Sequence, residues 1–233
     1  MYSDVFCKVY NEFGWNYYPE AFAGQLLQWL REHGVTVRTA MDLACGTGVL
    51  CRILKENGIE SHGMDFSRGM IAIARAESPD IPYDVADMTT YRPERQFDLV
   101  TCTGDAVNHI PALADVGKIF DNVYAYLAPG GYFIFDLLDE KEIATEEPFD
   151  LQFDEHIAAR FQITRPAADK VHLQTQVFED GVHSFTEDIF ETVHDRQAVL
   201  VLLEQSGFAV TACAHRLLQS SPEVATWYVI AQK

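Results

Sequence analysis

The seven residues Asp42-Leu43-Ala44-Cys45-Gly46-Thr47-Gly48 constrain the fold of this 233-residue chain more than any other stretch. An apolar run precedes them and apolar residues at helical spacing follow, which predicts a buried strand, a glycine turn and a helix. Glycine adopts backbone angles that other residues avoid, and it lets a ligand lie against the main chain. The helix presents free N–H groups and a partial positive charge to a carboxylate or phosphate. Because Asp42 is expected to face the same crevice, the turn suits a ligand with both cationic and anionic groups.

A second acid follows one strand–helix–strand step later. Asp65 comes directly after the predicted second strand, Ile59–Met64, and 19 residues after Gly46, close to the offset expected for adjacent parallel strands. A carboxylate at this position is placed to accept two hydrogen bonds from a ribose diol, and its charge makes such bonds strong. We expect Phe66 and Met70 to flank the base of the same nucleoside.

Further motifs continue this pattern along the chain. Asp87 follows the predicted third strand, Phe97–Cys102 is the predicted fourth strand, and Leu127–Gly131 forms an L-x-P-G-G turn before a fifth. With Asp42–Gly48 and Asp65, they resemble the motifs of class I S-adenosylmethionine (SAM)-dependent methyltransferases that act on small molecules. The resemblance covers residues 35–138, and the motifs are more specific together than any one alone.

The resemblance implies SAM as the cofactor and a role for each matched position. The backbone of Ala44–Gly48 is expected to hold SAM, Asp65 to bind its ribose, Asp87 to contact the adenine amino group, and the Met88 backbone to meet the ring. A turn cap ahead of Thr89 is the alternative for Asp87. The predicted cofactor-binding residues are Asp42, Ala44, Cys45, Gly46, Gly48, Asp65, Phe66, Met70, Asp87, Met88, Thr103 and Tyr10.

The loop from Thr103 to Pro111 is the best place to seek acid–base chemistry. It leaves the carboxyl edge of the sheet, where open α/β sheets bind ligands, and it holds Asp105, Asn108 and His109 within five residues. His109 is suited to remove a proton from an acceptor hydroxyl or amine, although a helix cap or a backbone contact is an equal alternative for it. The predicted catalytic residues are His109, Asp105 and Tyr17, with Tyr10 as a further candidate for contact with the acceptor.

Two other function classes stay open at this stage. A nicotinamide-dependent oxidoreductase also binds a ribose, but its fingerprint requires a third glycine where this chain has Cys51. The Pro129-Gly130-Gly131 turn also disfavours it. The second alternative is a SAM-binding protein without transferase activity that uses its insertion as an interface. The expected activity is O- or N-methyl transfer to a small molecule.

The pattern predicts one α/β domain with a doubly wound, Rossmann-like, mostly parallel seven-stranded sheet. We divide it into an aromatic cover (residues 1–34), a SAM-binding core (35–138), an antiparallel insertion (139–194) and a closing part (195–233). The acidic stretches Asp139–Glu142 and Glu146-Glu147 connect the core to the insertion, and the resemblance implies that such an insertion builds the acceptor pocket or a dimer contact. The predicted helices are Glu20–His33, Val49–Asn57, Arg68–Glu77, Ala112–Leu127 and Arg196–Ser206; the predicted strands include Leu151–Thr164, Lys170–Glu179, Val182–His194, Phe208–Ala212 and Trp227–Gln232.

Three local signals refine this pattern. We expect no regular amphipathic helix before Pro19, Ser67 as the cap of the helix that follows it, and a hairpin turn at Asp180-Gly181. The resemblance also implies that the last strand inserts antiparallel beside the fifth.

Charge and cysteine content narrow the partners. The formal net charge of −18 disfavours nucleic acid, because an acidic surface repels phosphate backbones. No apolar run reaches the ~18 residues of a membrane span, and residues 1–10 lack a secretory signal. The five cysteines include no C-x-x-C pair, so we expect reduced thiols, no metal site and a cytoplasmic location. The expected partners are a small-molecule methyl acceptor and, through the insertion, a second copy of the chain.

Overall fold

The computed structural model describes residues 2–141, 143, 147–220 and 226–233. Within these ranges the main sheet has seven strands, in the order β3-β2-β1-β4-β5-β11-β10. All neighbouring pairs from β3 to β5 are parallel, and β11 runs antiparallel between β5 and β10. The predicted sheet is therefore confirmed, including the antiparallel insertion of the last strand beside the fifth. These strands are β1 (Thr39–Leu43), β2 (Glu60–Asp65), β3 (Tyr83–Val85), β4 (Phe97–Cys102), β5 (Leu127–Leu138), β10 (Ala209–Ala214) and β11 (Thr226–Gln232).

Helices cover both faces of the main sheet. On one face, Val116 and Phe120 pack with Val199 against strand residues such as Phe133; on the other, Leu26 packs with Leu50. Ser67 caps α4 and accepts a hydrogen bond from the Met70 N–H at 3.3 Å, as the sequence predicts. The helices are α1 (Asp4–Val9), α2 (Tyr17–Glu32), α3 (Val49–Glu56), α4 (Arg68–Glu77), α5 (Leu113–Tyr126) and α6 (Arg196–Gln205), with a 3-10 turn at Ala106–His109.

The cover segment, residues 1–34, contains more helix than its sequence suggests. The expectation that no regular helix precedes Pro19 is wrong, because α1 begins at Asp4 and α2 at Tyr17. Ser3 caps α1 by accepting a hydrogen bond from the Phe6 N–H. Pro19 lies in the first turn of α2, where backbone N–H groups have no partner within the helix, so the missing donor costs little.

The L-x-P-G-G motif lies within the assigned bounds of β5 rather than ahead of the strand. Its second glycine is required by a close approach of two chain segments. A Cβ atom on Gly131 would lie 2.8 Å from the Asp98 carbonyl oxygen and 2.9 Å from that of Ala128. Any side chain at this position would therefore push β5 away from β4.

The insertion forms its own antiparallel sheet, in the order β6-β7-β8-β9. The predicted first strand is divided in two around Asp154, whose carboxylate accepts backbone hydrogen bonds from His156 and Ile157. The predicted hairpin at Asp180-Gly181 is confirmed. Of the acidic connection, Glu142 and Glu146 lie outside the described residues. The strands are β6 (Phe149–Gln152), β7 (Ile157–Ala167), β8 (Lys170–Glu179) and β9 (Val182–Thr192).

The cover segment packs between this inserted sheet and the main sheet. Phe6 and Phe13 share an apolar cluster with Phe161, Val177 and Ile189 of the inserted sheet. None of the helices in the described ranges is long and apolar enough to cross a lipid bilayer.

Candidate active site

The glycine turn and Asp65 meet at the carboxyl edge of the main sheet. The Asp65 carboxylate accepts hydrogen bonds from the backbone N–H groups of Gly46, at 2.9 Å, and Ser67, at 2.7 Å. Burial raises the pKa of Asp65, and these N–H donors counteract the rise. Ala44, Gly46 and Gly48 all have positive φ angles, of 55°, 54° and 79°. The turn and the carboxylate therefore form one surface, as the sequence predicts.

A cavity of about 410 Å³ lies next to Asp65, with Phe66 and Ser67 in its wall, a size typical of small-molecule sites. Asp87 is also part of the wall, and Phe66 is 54% exposed. Tyr2 and Asp4 of the cover segment also line it, and sequence reasoning did not single them out. The space beside Phe66 is thus bordered by an exposed ring and a carboxylate.

Met70 requires a correction. It is completely buried, because it lies on the inward face of α4 with Ile71 and Ala74. It therefore supports the wall from inside and does not flank a base. Met88 is half-buried against the core, with its sulfur 4.0 Å from the Cys102 thiol.

Asp87 takes part in a turn in the structure. Its carboxylate accepts hydrogen bonds from the Thr89 backbone N–H at 2.8 Å and from the Thr89 hydroxyl at 2.7 Å. This is the turn-cap arrangement that the sequence left as an alternative. A contact with adenine stays a prediction that the position of Asp87 in the cavity wall permits.

The remaining predicted cofactor residues surround the turn. Asp42 is buried and accepts a hydrogen bond from the Thr101 hydroxyl at 2.7 Å, and burial raises its pKa to about 7. Cys45 is buried within the turn, where burial raises the pKa of its thiol. Thr103 follows β4 and is half-buried.

The cover segment is tied to the turn and to the inserted sheet. The Thr47 hydroxyl donates a hydrogen bond to the Asn11 side chain at 2.9 Å, and the Ser3 N–H donates to Glu187 of β9 at 3.0 Å. Tyr10 lies between these ties, and its pKa is raised to about 12 by burial and then by the charges of Asp65 and Asp105. The predicted lining residue Tyr10 is thus close to both ends of the crevice.

Three carboxyl groups interact electrostatically beyond the turn, and we call Asp105, Asp136 and Glu191 the acidic cluster. Asp136 is fully buried, and the other two are half-buried. Asp136, at the end of β5, accepts hydrogen bonds from the backbone N–H groups of Gly104 at 2.9 Å and Asp105 at 3.0 Å, and from the Tyr18 hydroxyl. These bonds hold the loop after β4, where Asp105 has a positive φ of 59°. Such a strained backbone is typical of functional sites.

The members of the acidic cluster influence one another's protonation. Burial, then the charges of Asp136 and Glu191, raise the pKa of Asp105 well above its usual range. Burial also raises the pKa of Asp136. Burial and the Asp136 charge raise the pKa of Glu191 to about 7. In the described part of the chain no lysine or arginine forms an ion pair with any of the three, and their ionisable neighbour His109 carries a positive charge only when it is protonated.

His109 lies beside this cluster. Its Nε2 atom is 3.7 Å from a carboxylate oxygen of Glu191, and its ring contacts that of Tyr2 edge-on. Burial lowers the pKa of His109, and a hydrogen bond with the Phe190 backbone raises it to a smaller extent. The structure thus relates both predicted residues, His109 and Asp105, to Glu191, and it also provides the backbone contact that the sequence left open for His109.

Tyr17 does not join this group. Its side chain is 76% exposed, whereas the next residue, Tyr18, reaches Asp136 and lies 3.3 Å from the Tyr228 hydroxyl. The difference arises because successive residues of a helix point in different directions. Since the segment before Pro19 was expected to be irregular, the sequence did not indicate which of the two tyrosines faces the site. The sequence makes Tyr17 and Tyr18 equal candidates for lining the pocket, and Tyr17 was the wrong choice for the catalytic set. Asp136 and Glu191 were missed. Asp136 offered a signal, since it follows a parallel strand at the same edge as Asp65.

Comparison with known proteins identifies a methyltransferase domain in the chain. Residues 40–131 match a family described as a methyltransferase domain. The chain is 28% identical over 134 residues to a dTDP-3-amino-3,6-dideoxy-alpha-D-glucopyranose N,N-dimethyltransferase from Streptomyces fradiae, which covers 58% of this chain and 52% of the relative. The chain spans about half the length of the curated relatives it matches first.

Solved structures extend the likeness of the fold to nearly the whole chain. A SAM-dependent methyltransferase from Clostridium acetobutylicum has a TM-score of 0.80 at 21% identity, covering 90% of this chain and 89% of that one. The SAM-bound amino pentose methyltransferase CalS10 from Micromonospora echinaspora has a TM-score of 0.78 at 20% identity, covering 100% and 98%. At such identities the likeness shows the fold alone, an α/β, Rossmann-like methyltransferase fold.

Proposed function

We propose that this chain is an enzyme that transfers a methyl group from SAM to a small molecule, and that the acceptor atom is an amine nitrogen. The observation that carries the proposal is the acidic cluster, which has no lysine or arginine ion pair in the described part of the chain and lies at the same edge of the main sheet as the turn that meets Asp65. The match of residues 40–131 to a methyltransferase-domain family supports the reaction type, and the cluster supports the choice of nitrogen over oxygen.

The residues at the turn fit SAM. The carboxylate of Asp65 would hold the ribose hydroxyls, the cavity beside Phe66 would take the adenine, and the backbone from Ala44 to Gly48 would lie along the amino-acid part. SAM brings a methyl group already activated on a sulfonium. The chain therefore has to align the acceptor, exclude water and manage one proton.

An amine explains why three buried or half-buried carboxyl groups interact with one another. Burying carboxylates without a counter-charge is costly, and the cost falls when a protonated amine enters between them. Before it can accept a methyl group, the ammonium must lose one proton to expose its lone pair. Glu191 would take that proton, since burial and the Asp136 charge raise its pKa to about 7. His109, whose pKa is lowered by burial, is the alternative acceptor as a neutral imidazole. The printed name of the Streptomyces fradiae relative, a dimethyltransferase of an amino sugar, supports the same choice.

Direct transfer of label tests the proposal. The chain is incubated with methyl-labelled SAM and pairs of small molecules that differ only by an amine or a hydroxyl at one carbon, amino sugars and their hydroxy counterparts among them. We expect label in amines and little in the matched alcohols. Label in the alcohols alone would contradict the choice of nitrogen.

Two further controls address the alternative classes. Thermal-shift measurements with SAM and NAD separately distinguish the methyltransferase from an oxidoreductase, and stabilisation by NAD alone would overturn the proposal. Stabilisation by SAM without transfer to any acceptor in a metabolite extract would favour a silent SAM-binding protein. The cytoplasmic location, the homodimer and the four-part division of the chain stay predictions.

A further inference from the structure

One fully buried amide connects the three segments that carry the acidic cluster. Asn108 is 0% exposed. Its Nδ2 donates a hydrogen bond to the Thr192 carbonyl oxygen at 2.8 Å, and its Oδ1 accepts one from the Leu138 N–H at 3.1 Å. Leu138 is where the chain leaves the main sheet for the insertion, and Thr192 is where it returns.

Each bond ends next to a member of the cluster. Thr192 directly follows Glu191, and Leu138 comes two residues after Asp136. In its own 3-10 turn, the Asn108 N–H donates to the Asp105 carbonyl oxygen at 2.8 Å. The side chain and the backbone N–H of Asn108 are therefore hydrogen-bonded to the three segments that contain Asp105, Asp136 and Glu191.

A second contact reinforces the connection on the side of β9. The His194 ring nitrogen Nε2 lies 2.9 Å from the Ile110 carbonyl oxygen, just beyond the same 3-10 turn. Two hydrogen bonds therefore join the end of β9 to the loop after β4. Without them, the position of Glu191 relative to the main sheet would depend on the inserted sheet and on the contacts of His109 with Phe190 and Glu191.

We infer that Asn108 is a positioning residue for methyl transfer, which holds Glu191 of the inserted sheet against His109, Asp105 and Asp136 of the main sheet. This inference rests on the proposed function for its catalytic meaning, but the geometry that it describes is measurable without turnover. Asn108 touches neither the cofactor nor the acceptor in this account, and it acts through Glu191.

The test compares Asn108→Ala with Asn122→Ala. Asn122 is also a buried asparagine, at 3% exposed; it bridges Arg92 and the Thr89 carbonyl oxygen at 2.8 Å each and lies away from the acidic cluster. Both variants lose two buried hydrogen bonds, so a drop in Tm is expected for both. Only Asn108→Ala is expected to disturb Glu191.

The first measurement is the titration of Glu191, followed by carbon-13 NMR of labelled glutamate carboxyls and assigned with Glu191→Gln. In Asn108→Ala we expect the midpoint to fall by about one unit or more from the native value near 7, because a displaced carboxyl gains water and loses the field of Asp136. In Asn122→Ala the midpoint should stay at the native value. If Asn108→Ala does not fold, Asn108→Ser is measured instead.

The second measurement uses amine acceptors. For Asn108→Ala we expect the acceptor KM to rise about tenfold and kcat to fall, while the SAM Kd changes by less than about twofold. A native Glu191 midpoint together with a native acceptor KM would overturn the inference. If the unaltered chain methylates no amine, the proposed function fails, and the titration still decides whether Asn108 positions Glu191.

Discussion

Replacing Asp65 with alanine removes the acceptor that the account assigns to the ribose. In the structure this carboxylate already aligns with the turn through the N–H groups of Gly46 and Ser67. Hydrogen bonds to a charged acceptor contribute about 1.5–3 kcal/mol each. Loss of two such bonds to the ribose diol, at the lower end of that range, gives about 3–4 kcal/mol, or roughly a 100- to 1,000-fold rise in the SAM Kd.

Isothermal titration calorimetry with SAM is the assay, and Asp84→Ala is the matched control. Asp84 is an exposed acid on the neighbouring strand β3, where it accepts a hydrogen bond from the Tyr91 hydroxyl. We expect this variant to bind SAM as the native chain does. A native Kd for Asp65→Ala, in a variant shown to be folded by circular dichroism, would refute the ribose assignment.

Three further predictions follow from the same geometry. Glu191→Gln should lower kcat for an amine and yet stabilise the fold above pH 7. The pKa of Glu191 is raised from 4.5 to about 7, so the native chain loses stability as pH rises through this window, up to about 3 kcal/mol in total. Thermal unfolding of both proteins at pH 5 and pH 8 checks the sign. Tyr18→Phe should leave SAM binding intact while raising the acceptor KM, because Asp136 loses its hydroxyl partner; steady-state kinetics would contradict this with an unchanged KM. Gly131→Ala should lower the free energy of unfolding by about 1–3 kcal/mol because its methyl group would overlap two carbonyl oxygens, and a native denaturation midpoint would exclude that reason.

The sequence predicted the bounds of a helix or strand correctly where one strong local signal determined them. The bounds of α4 and β4 agree with the structure to the residue, because Ser67 caps the helix and the apolar run Phe97–Cys102 has no competing pattern. The cover segment was less predictable. The irregular spacing of its aromatic residues gave no helical pattern for α1. Pro19 was read as a residue that excludes helix before it, although proline is tolerated in the first turn of a helix.

The residues of the candidate site also differ in how far the sequence predicts their positions. Asp65 and the glycine turn belong to consecutive units of one strand–helix–strand step, so their meeting follows from connectivity. Glu191 belongs to a strand of the insertion. The alternation of apolar and polar residues along that strand does not predict which part of the main sheet its end contacts. Its place beside His109 depends on the two long-range bonds of Asn108, which sequence spacing does not encode.

A crystal structure with S-adenosylhomocysteine and an amine acceptor tests the central claim most directly. The account predicts that the ribose hydroxyls bind the Asp65 carboxylate, and that the sulfur faces an amine nitrogen held by Asp105, Asp136 and Glu191. A ribose bound away from Asp65, or a sulfur that points away from the three carboxyl groups, would contradict it.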